Sequence, residues 1–417
     1  FYVDGLSLLL ATLASGIGVL VFLYSYRYMK HDGWKHKYYT VLTAFMGSMI
    51  GLVFSSDLIF LFMFWEFTSI CSFLLISHNQ RTKGGIASSK KSLLVTVGSG
   101  LLLLIGIILL GETAGTYSIA EMLNQKGLLE DIKAEGLYLP ILALIGTGAA
   151  AKSAQVPFHI WLPDAMEAPT PVSAFLHSAT MVKAGVFLIG RFRPILMQGE
   201  TWNLIFVTAG LLTMTLAAIL AVGAEELKEL LAYSTASHLG LIVAGFGFTG
   251  VLGAETASFH IFNHAIFKAS LFMVAGIILH EAGTQKIKKL SGLRKKWPIL
   301  AVITTLSGLS MAGIPPLNGF YSKELLFESV YHVASHTGGL TWFLPVIAVT
   351  GSVFTFIYSL RFISIFYGES CDVETHPVPR SLIVAPGILA GLALLVGVSP
   401  NYFIDLIIEP ALHGVSM

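Results

Sequence analysis

The chain has 417 residues, 55% of them hydrophobic and only 12% charged, with mean hydropathy +0.77 and a net charge of +1. Soluble domains carry about 25% charged residues, so the composition is that of a membrane protein, and its near-neutral balance gives nucleic acid no footing. The two cysteines, Cys71 and Cys371, stand far apart and imply neither a disulfide framework nor a metal cluster.

Hydropathy predicts an all-α polytopic membrane protein with about twelve spans of roughly 20 residues each. The first three lie near 6–27, 38–55 and 57–77. FYVDGLSLLL at the start lacks the basic end and small-residue cleavage site of a signal peptide. Because it opens on Phe1, the chain is expected to be a piece of something longer. The third span contains FLFMFWEFTSICSFLLI, in which Glu66 is the only ionisable group. A carboxylate near a helix end reaches for headgroups, but Glu66 lies well inside the span. At that depth a carboxylate marks an ion path.

The fourth span runs near 90–111, and the connection 112–136, rich in Glu, Asp and Lys, is too polar to cross. The fifth, 137–157, reads LIGTGAAAKSAQVPFHIW and places Lys152 just before Gln155 and Pro157. Proline frees backbone groups that hydrocarbon cannot satisfy, so a broken helix there requires protein or water around it. A snorkelling lysine is the structural alternative. Glu66 is the natural neighbour for the ammonium.

The sixth span, 171–192, opens with PDAMEAPTPVSAFLHSATMVKAG. Pro169 and Pro171 mark a turn and a helix start, and Asp164 and Glu167 read as loop and cap residues. His177 and Lys183, six apart, fall on different helical faces, and both are candidates for ion movement. The seventh span lies near 203–223. The eighth, 226–247, begins with Lys228 among Glu225, Glu226 and Glu229, an interfacial position, and His238 is placed to connect it to the interior.

The ninth and tenth spans, 253–280 and 298–331, are long, and both are expected to be interrupted. In FHIFNHAIFKASLF, steps of four put His260, His264 and Lys268 on one stripe. Histidine titrates near neutral pH and can hand protons along a chain. Zinc is the other reading of two histidines at this spacing, but no third ligand accompanies them. Lys323 follows the Pro315–Pro316 break, again a lysine beside a proline inside an apolar stretch. Spans near 341–367 and 381–400 complete the set. Broken, lysine-bearing spans at the fifth and tenth positions point to paired repeats.

Basic residues cluster in three loops: Arg27, Lys30, Lys35 and Lys37; Arg81, Lys83, Lys90 and Lys91; and Lys286, Lys288, Lys289, Arg294, Lys295 and Lys296. All three follow odd-numbered spans, so they share a side, predicted to be cytoplasmic, with Phe1 outside. Arg191 and Arg193 are the main exception. Glu66, Lys152, His177, Lys183, Lys228, His260, His264, Lys268 and Lys323 are expected to form a polar file at mid-membrane. No nucleotide loop, dinucleotide fingerprint or nucleophile motif is present. No cofactor, metal or catalytic chemistry of the chain's own is expected.

FYVDGLSLL, FWEFTSICSFLLI, AKSAQVPFHIWLPDAMEAPTPVSAFLHSATMVKAG, LKELLAYSTASHLG, FNHAIFKASLF and PPLNGFYSKE together resemble the antiporter-like subunits of complex I, membrane-bound hydrogenases and Mrp antiporters. DAMEAPTPVSA and HSATMVKAG look most like the A subunit of Mrp-type Na⁺/H⁺ antiporters, with the distal complex I subunit next. The resemblance covers nearly the whole chain as one antiporter-like transmembrane domain. It implies a fourteen-helix core with two inverted five-helix repeats, of which the first two helices and any C-terminal extension would lie outside this sequence. It also implies a Glu66–Lys152 ion pair, Lys228 as central lysine, His260, His264 and Lys268 as connecting relay, and Lys323 as terminal lysine. Other membrane subunits, the lipid bilayer, H⁺ and, as an alternative ion, Na⁺ would be its partners, in the cell (inner) membrane of a bacterium or archaeon. A stand-alone proton-coupled solute carrier is the competing class, and would need a substrate pocket between the repeats. A structural scaffold would not need acid, lysine and histidine at membrane depth.

Overall fold

The computed structural model describes residues 1–78, 83–197, 199–369 and 373–415; Arg81 and Cys371 lie outside them. Among the described residues regular structure is helical, apart from two isolated bridges, Asp57 with Ser118 and Glu226 with Lys286. The first half holds α1 (Gly5–Tyr28), α2 (Lys35–Phe54), α3 (Leu58–Ile76), α4 (Lys83–Ala114) and α5 (Tyr138–Lys152). Next come α6 (Thr170–Ser178), α7 (Met181–Leu196), α8 (Gly199–Gly223), α9 (Leu227–Gly247) and α10 (Val251–Ala282). α11 (Pro298–Ala312), α12 (Gly319–Thr337), α13 (Phe343–Ser364) and α14 (Arg380–Val398) follow.

Helices stand at all twelve predicted positions. Among the described residues nine are long and apolar enough to cross a bilayer, or ten if the bent pair Leu128–Ala134 and Tyr138–Lys152 counts as one span. α2, the short α11 and the polar α12 occupy predicted positions without passing that test. The polar connection 112–136 forms only the short helices Ile119–Asn124 and Leu128–Ala134 after α4. Helix starts follow local chemistry. Asp4 accepts from the Ser7 amide at 2.8 Å and Asp57 from the Ile59 amide at 2.8 Å, satisfying amides that a first turn leaves without partners.

The two proline-associated breaks are where the sequence puts them. α5 ends at Lys152, and the indole of Trp161 donates to the freed Ala151 carbonyl at 2.9 Å. α11 ends at Gly313, whose φ of +82° closes the helix in the left-handed region. Two expectations need correction. The ninth span is not interrupted: α10 runs unbroken for 32 residues. It contains no proline, and at about 48 Å it is simply longer than a hydrocarbon core of about 30 Å. A break the sequence did not announce separates α6 from α7, where the Thr180 hydroxyl donates to the Phe175 carbonyl at 2.8 Å.

α10 is the hub. It packs against α6, α9, α11, α12 and α14, and the most apolar window of its length is entirely buried, as is that of α6–α7. In α13 only 17% of the corresponding window is buried, which makes α13 peripheral.

The basic loops share one face. Asp32 meets His78 at 3.1 Å, joining the ends of α1 and α3, and His280 near the end of α10 packs on Tyr28 with ring centroids 5.5 Å apart. Arg191 and Arg193 belong to the opposite face and are buried in protein. Arg191 binds both carboxylate oxygens of Asp4 and donates to Ser7 Oγ at 2.7 Å. Arg193 donates to the carbonyls of Val415 (2.6 Å), Phe248 (3.0 Å) and Gly250 (2.6 Å). These arginines tie the two ends of the chain together and are not loop charges, which explains why they depart from the charge pattern.

Candidate functional site

The five candidate lysines are all buried: Lys152, Lys183 and Lys268 fully, Lys228 and Lys323 to within 5%. Each donates to a backbone carbonyl. Lys152 Nζ reaches Trp65 O at 2.7 Å, Lys183 reaches Ile261 O at 2.7 Å, and Lys323 reaches Ala312 O at 2.7 Å. Lys228 reaches Met166 O at 3.0 Å and Ala168 O at 2.8 Å, and Lys268 reaches Leu231 O at 3.3 Å. Among the described residues none of the five stands within ion-pair distance of a carboxylate. A carbonyl serves both protonation states, because a neutral amine keeps two N–H donors. These lysines can therefore lose a proton without losing their anchor.

Glu66 and Lys152 share a site without closing an ion pair. The ammonium also takes Ser69 Oγ at 2.8 Å and lies 4.6 Å from the centroid of the Trp65 ring. Glu66 is half-buried, and its Oε1 has no hydrogen-bond partner and lies against Gly100.

His177 and Lys183 fall on opposite sides of the α6–α7 break. His177 packs between Trp161 and Phe272, with ring centroids 6.2 and 6.0 Å away, and neither ring nitrogen has a hydrogen-bond partner. Lys228 forms the floor of a cavity of about 910 Å³ on the basic-loop face, lined also by Tyr28, Asp164, Glu167, Glu226 and Glu229. Asp164 pairs with Lys91 at 2.7 Å, as a loop residue would.

The centre of the file is the α9–α10 hairpin. A short turn, Phe248–Gly250, fixes its register, so residues equidistant from the turn face one another. His238 lies ten residues before Phe248, and His260 ten residues after Gly250. Their rings stack with centroids 5.1 Å apart, and His238 Nδ1 meets His260 Nε2 at 2.9 Å. His238 Nε2 meets the Tyr358 hydroxyl of α13 at 3.1 Å. His260 Nδ1 meets Ser322 Oγ of α12 at 2.8 Å. Asn263 donates to Ser322 Oγ at 3.1 Å and to Asn318 O at 2.9 Å, and Asn318 returns a bond to Asn263 Oδ1 at 2.9 Å. Ser310 of α11 donates to Asn318 Oδ1. A buried hydrogen-bonded chain thus runs Tyr358–His238–His260–Ser322–Asn263–Asn318–Ser310 and ends two residues before Ala312, whose carbonyl holds Lys323.

His260, His264 and Lys268 do share a stripe of α10, but they do not touch in series. His238 packs against both histidines, its ring centroid 5.1 Å from that of His260 and 5.6 Å from that of His264. Lys268 binds Ser234 one turn along α9 from His238. Sequence reasoning named His238 only as a connector to Lys228, and it missed Tyr358, Ser322, Asn263 and Asn318. One signal was available: the hairpin register pairs His238 with His260. Among the described residues no group of three or more His, Cys, Asp or Glu is arranged to hold a metal, and Cys71 is buried.

Residues 55–355 match the family model described as "NADH:quinone oxidoreductase/Mrp antiporter, TM", and residues 1–39 match "NADH-Ubiquinone oxidoreductase (complex I), chain 5 N-terminus". Over its whole length the chain is 43% identical to the "Na(+)/H(+) antiporter subunit A1" of Staphylococcus aureus strain JH9, of which it covers 54%. It therefore spans about half the length of the curated relatives it matches. Among solved structures it is similar to the Mrp complex from Dietzia sp. DQ12-45-1b, with TM-score 0.90, 38% identity, and 99% of this chain and 45% of that chain covered. It is also similar to the membrane-bound sulfane sulfur reductase (MBS), an archaeal respiratory membrane complex, with TM-score 0.89, 25% identity, and 99% and 82% covered.

Proposed function

The chain belongs to the NADH:quinone oxidoreductase/Mrp antiporter transmembrane family, and on that premise we propose that it is a proton-translocating subunit of a multisubunit membrane complex of the Mrp type, moving protons along the buried file. The observation that carries the reading is the His238–His260 hydrogen bond, flanked by Tyr358 and Ser322.

Four groups in series admit two coherent arrangements. In one, Ser322 donates to His260 Nδ1, His260 Nε2–H donates to His238 Nδ1, and His238 Nε2–H donates to Tyr358. In the other, every proton lies on the opposite side of its hydrogen bond, and Ser322 turns its own proton toward the Gly319 carbonyl, 3.4 Å away. When Ser322 takes up a proton and each bridging proton crosses its hydrogen bond, His238 hands one to Tyr358, which releases the proton it held; this net transfer of one proton from the Ser322 end to the Tyr358 end switches both tautomers and converts the first arrangement into the second. Asn263 already donates to Ser322 Oγ, so the serine proton is free to point either way. Histidine is suited to this role because each ring nitrogen can donate or accept.

In this reading the basic loops face the cytoplasm, in the cell membrane of a bacterium or archaeon. Lys228 receives protons from the acidic cavity on that face, and Lys152, Lys183, Lys268 and Lys323 are sites where the file holds charge. A redox-driven complex is a second reading, favoured by the high coverage of the MBS chain. The test is proton and sodium flux in vesicles reconstituted with the whole complex. Lys152→Ala and Lys323→Ala should each abolish proton flux while the subunits still co-purify. Wild-type flux in an assembled Lys152→Ala complex removes the file from the transport path. Co-purifying iron–sulfur subunits would select the redox reading.

A further inference from the structure

Among the described residues, three of the four buried tryptophans direct the indole N–H at a backbone carbonyl. Trp161 donates to Ala151 O at 2.9 Å, Trp202 to Phe246 O at 2.9 Å and Trp297 to His376 O at 3.1 Å. Trp65 of α3 is the exception: it is fully buried, and its Nε1 has no hydrogen-bond partner. A buried indole N–H ordinarily finds an acceptor. The next residue, Glu66, carries the complementary group, an Oε1 that no donor reaches.

Both atoms face Gly100 of α4. A Cβ at Gly100 would stand 2.1 Å from Glu66 Oε1 and 3.6 Å from Trp65 Nε1. Donor and acceptor therefore border one gap, which is open because residue 100 has no side chain. The carboxylate ends a long, flexible side chain, so a change of rotamer carries it across the gap to the N–H. The rest of Trp65 holds Lys152. Its carbonyl accepts from Lys152 Nζ at 2.7 Å and from Thr68 Oγ1 at 2.7 Å, and its ring lies 4.6 Å from the same ammonium. The carbonyl serves both protonation states of the amine, whereas the ring attracts only the charged one.

We propose that Trp65 is a positioning residue of the Glu66–Lys152 site: its indole N–H is the second partner of the Glu66 carboxylate, reached across the Gly100 gap, and holds it off the Lys152 ammonium. The proposal rests on the proton-translocation reading above and names what keeps the pair open. Glu66 then has two positions. Against Lys152 the opposite charges hold the lysine proton in place; against Trp65 the lysine is free to pass its proton on. The step is a rotation about side-chain bonds, and the indole keeps its own proton throughout.

The test uses the whole complex, reconstituted in vesicles for proton flux. Infrared difference spectra assign the Glu66 carboxylate stretch as the band lost in Glu66→Gln. Trp65→Phe keeps a ring beside Lys152 and the backbone carbonyl but removes the N–H. It should co-purify with its partners, shift the Glu66 band and lower flux about tenfold, as misplacing a reacting group does. Trp202→Phe is the control: it removes an indole bond outside the site, to Phe246 O, and should leave flux and band unchanged. An unshifted band in Trp65→Phe overturns the contact, and an equal loss of flux in Trp202→Phe overturns the role. A shifted band with wild-type flux also overturns the role, provided that Lys152→Ala abolishes flux. If Lys152→Ala transports normally as well, the translocation reading fails and the contact stands. If Trp65→Phe does not assemble, ultraviolet resonance Raman spectra of the indole N–H decide. Glu66→Ala should then show less hydrogen-bonded indole than wild type, and identical spectra overturn the proposal.

Discussion

His238 Nδ1 and His260 Nε2 stand 2.9 Å apart, each ten residues from the turn that joins their helices. The pair is buried on every side, with the His264 and Phe267 rings packed around it. Among the described residues no carboxylate pairs with the lysines around it, and those lysines donate instead to backbone carbonyls and a serine hydroxyl. The arrangement is that of a switchable hydrogen-bonded chain more than of a fixed ionic scaffold.

Gly100 is the contact that positions Glu66. A Cβ there would stand 2.1 Å from Glu66 Oε1. The obstructed atom ends a flexible side chain, so Gly100→Ala should move the carboxylate and leave the fold intact. Alanine in a helix interior gains up to about 1 kcal/mol over glycine. We expect unchanged or slightly raised thermal stability and a several-fold loss of proton flux. Undiminished flux would mean that the position of Glu66 does not matter.

Gly313 plays the same part for Lys323, with a backbone constraint added. Its φ is +82°, and a Cβ there would lie 2.6 Å from Lys323 Cδ. Gly313→Ala should cost about 1–2 kcal/mol for the left-handed backbone alone and displace the ammonium from Ala312 O. Thermal melting of the purified complex and proton flux should both fall. Normal flux in a destabilised complex would separate the lysine's position from transport.

Asp4 should give stability a pH dependence. Burial pushes its carboxyl upward, but the hydrogen bonds and charge of Arg191, with the bond from Ser7, outweigh that and hold it below its usual value of 3.8. A depressed carboxyl contributes stability that is present above the unfolded-state value and lost as pH falls through the folded-state value. Asp4→Asn should therefore lower the melting temperature at pH 7, and the difference from wild type should shrink in acid below the usual carboxylate range. Leaving the Arg191 charge buried without its partner costs about 3–5 kcal/mol. A melting difference independent of pH would contradict the assignment.

The sequence exposed the elements and the cations, but not their partners. Lys152 and Lys323 were legible because a charge beside a proline in an apolar run has few uses. The α6–α7 break was not legible, because Ala179 and Thr180 carry no breaker. The false interruption in α10 came from its length, which alone does not break a helix. Lipid-facing and core-facing sides of these helices are both apolar, so periodicity could not say which face was buried. The carbonyl anchors of the lysines were invisible for another reason: any residue can supply a carbonyl. His238 was underestimated because its role depends on hairpin register. Tyr358, Ser322 and Asn318 enter only through tertiary packing of α11–α13 on α10.

His238→Gln is the most direct test of the account. Glutamine retains a donor and an acceptor in a similar volume, but it cannot take a proton at one atom while releasing one at another. In vesicles carrying the whole complex, His238→Gln should co-purify with its partners, melt within a few degrees of wild type and lose at least tenfold in proton flux. Wild-type flux through an assembled His238→Gln complex would contradict a proton path through the His238–His260 pair.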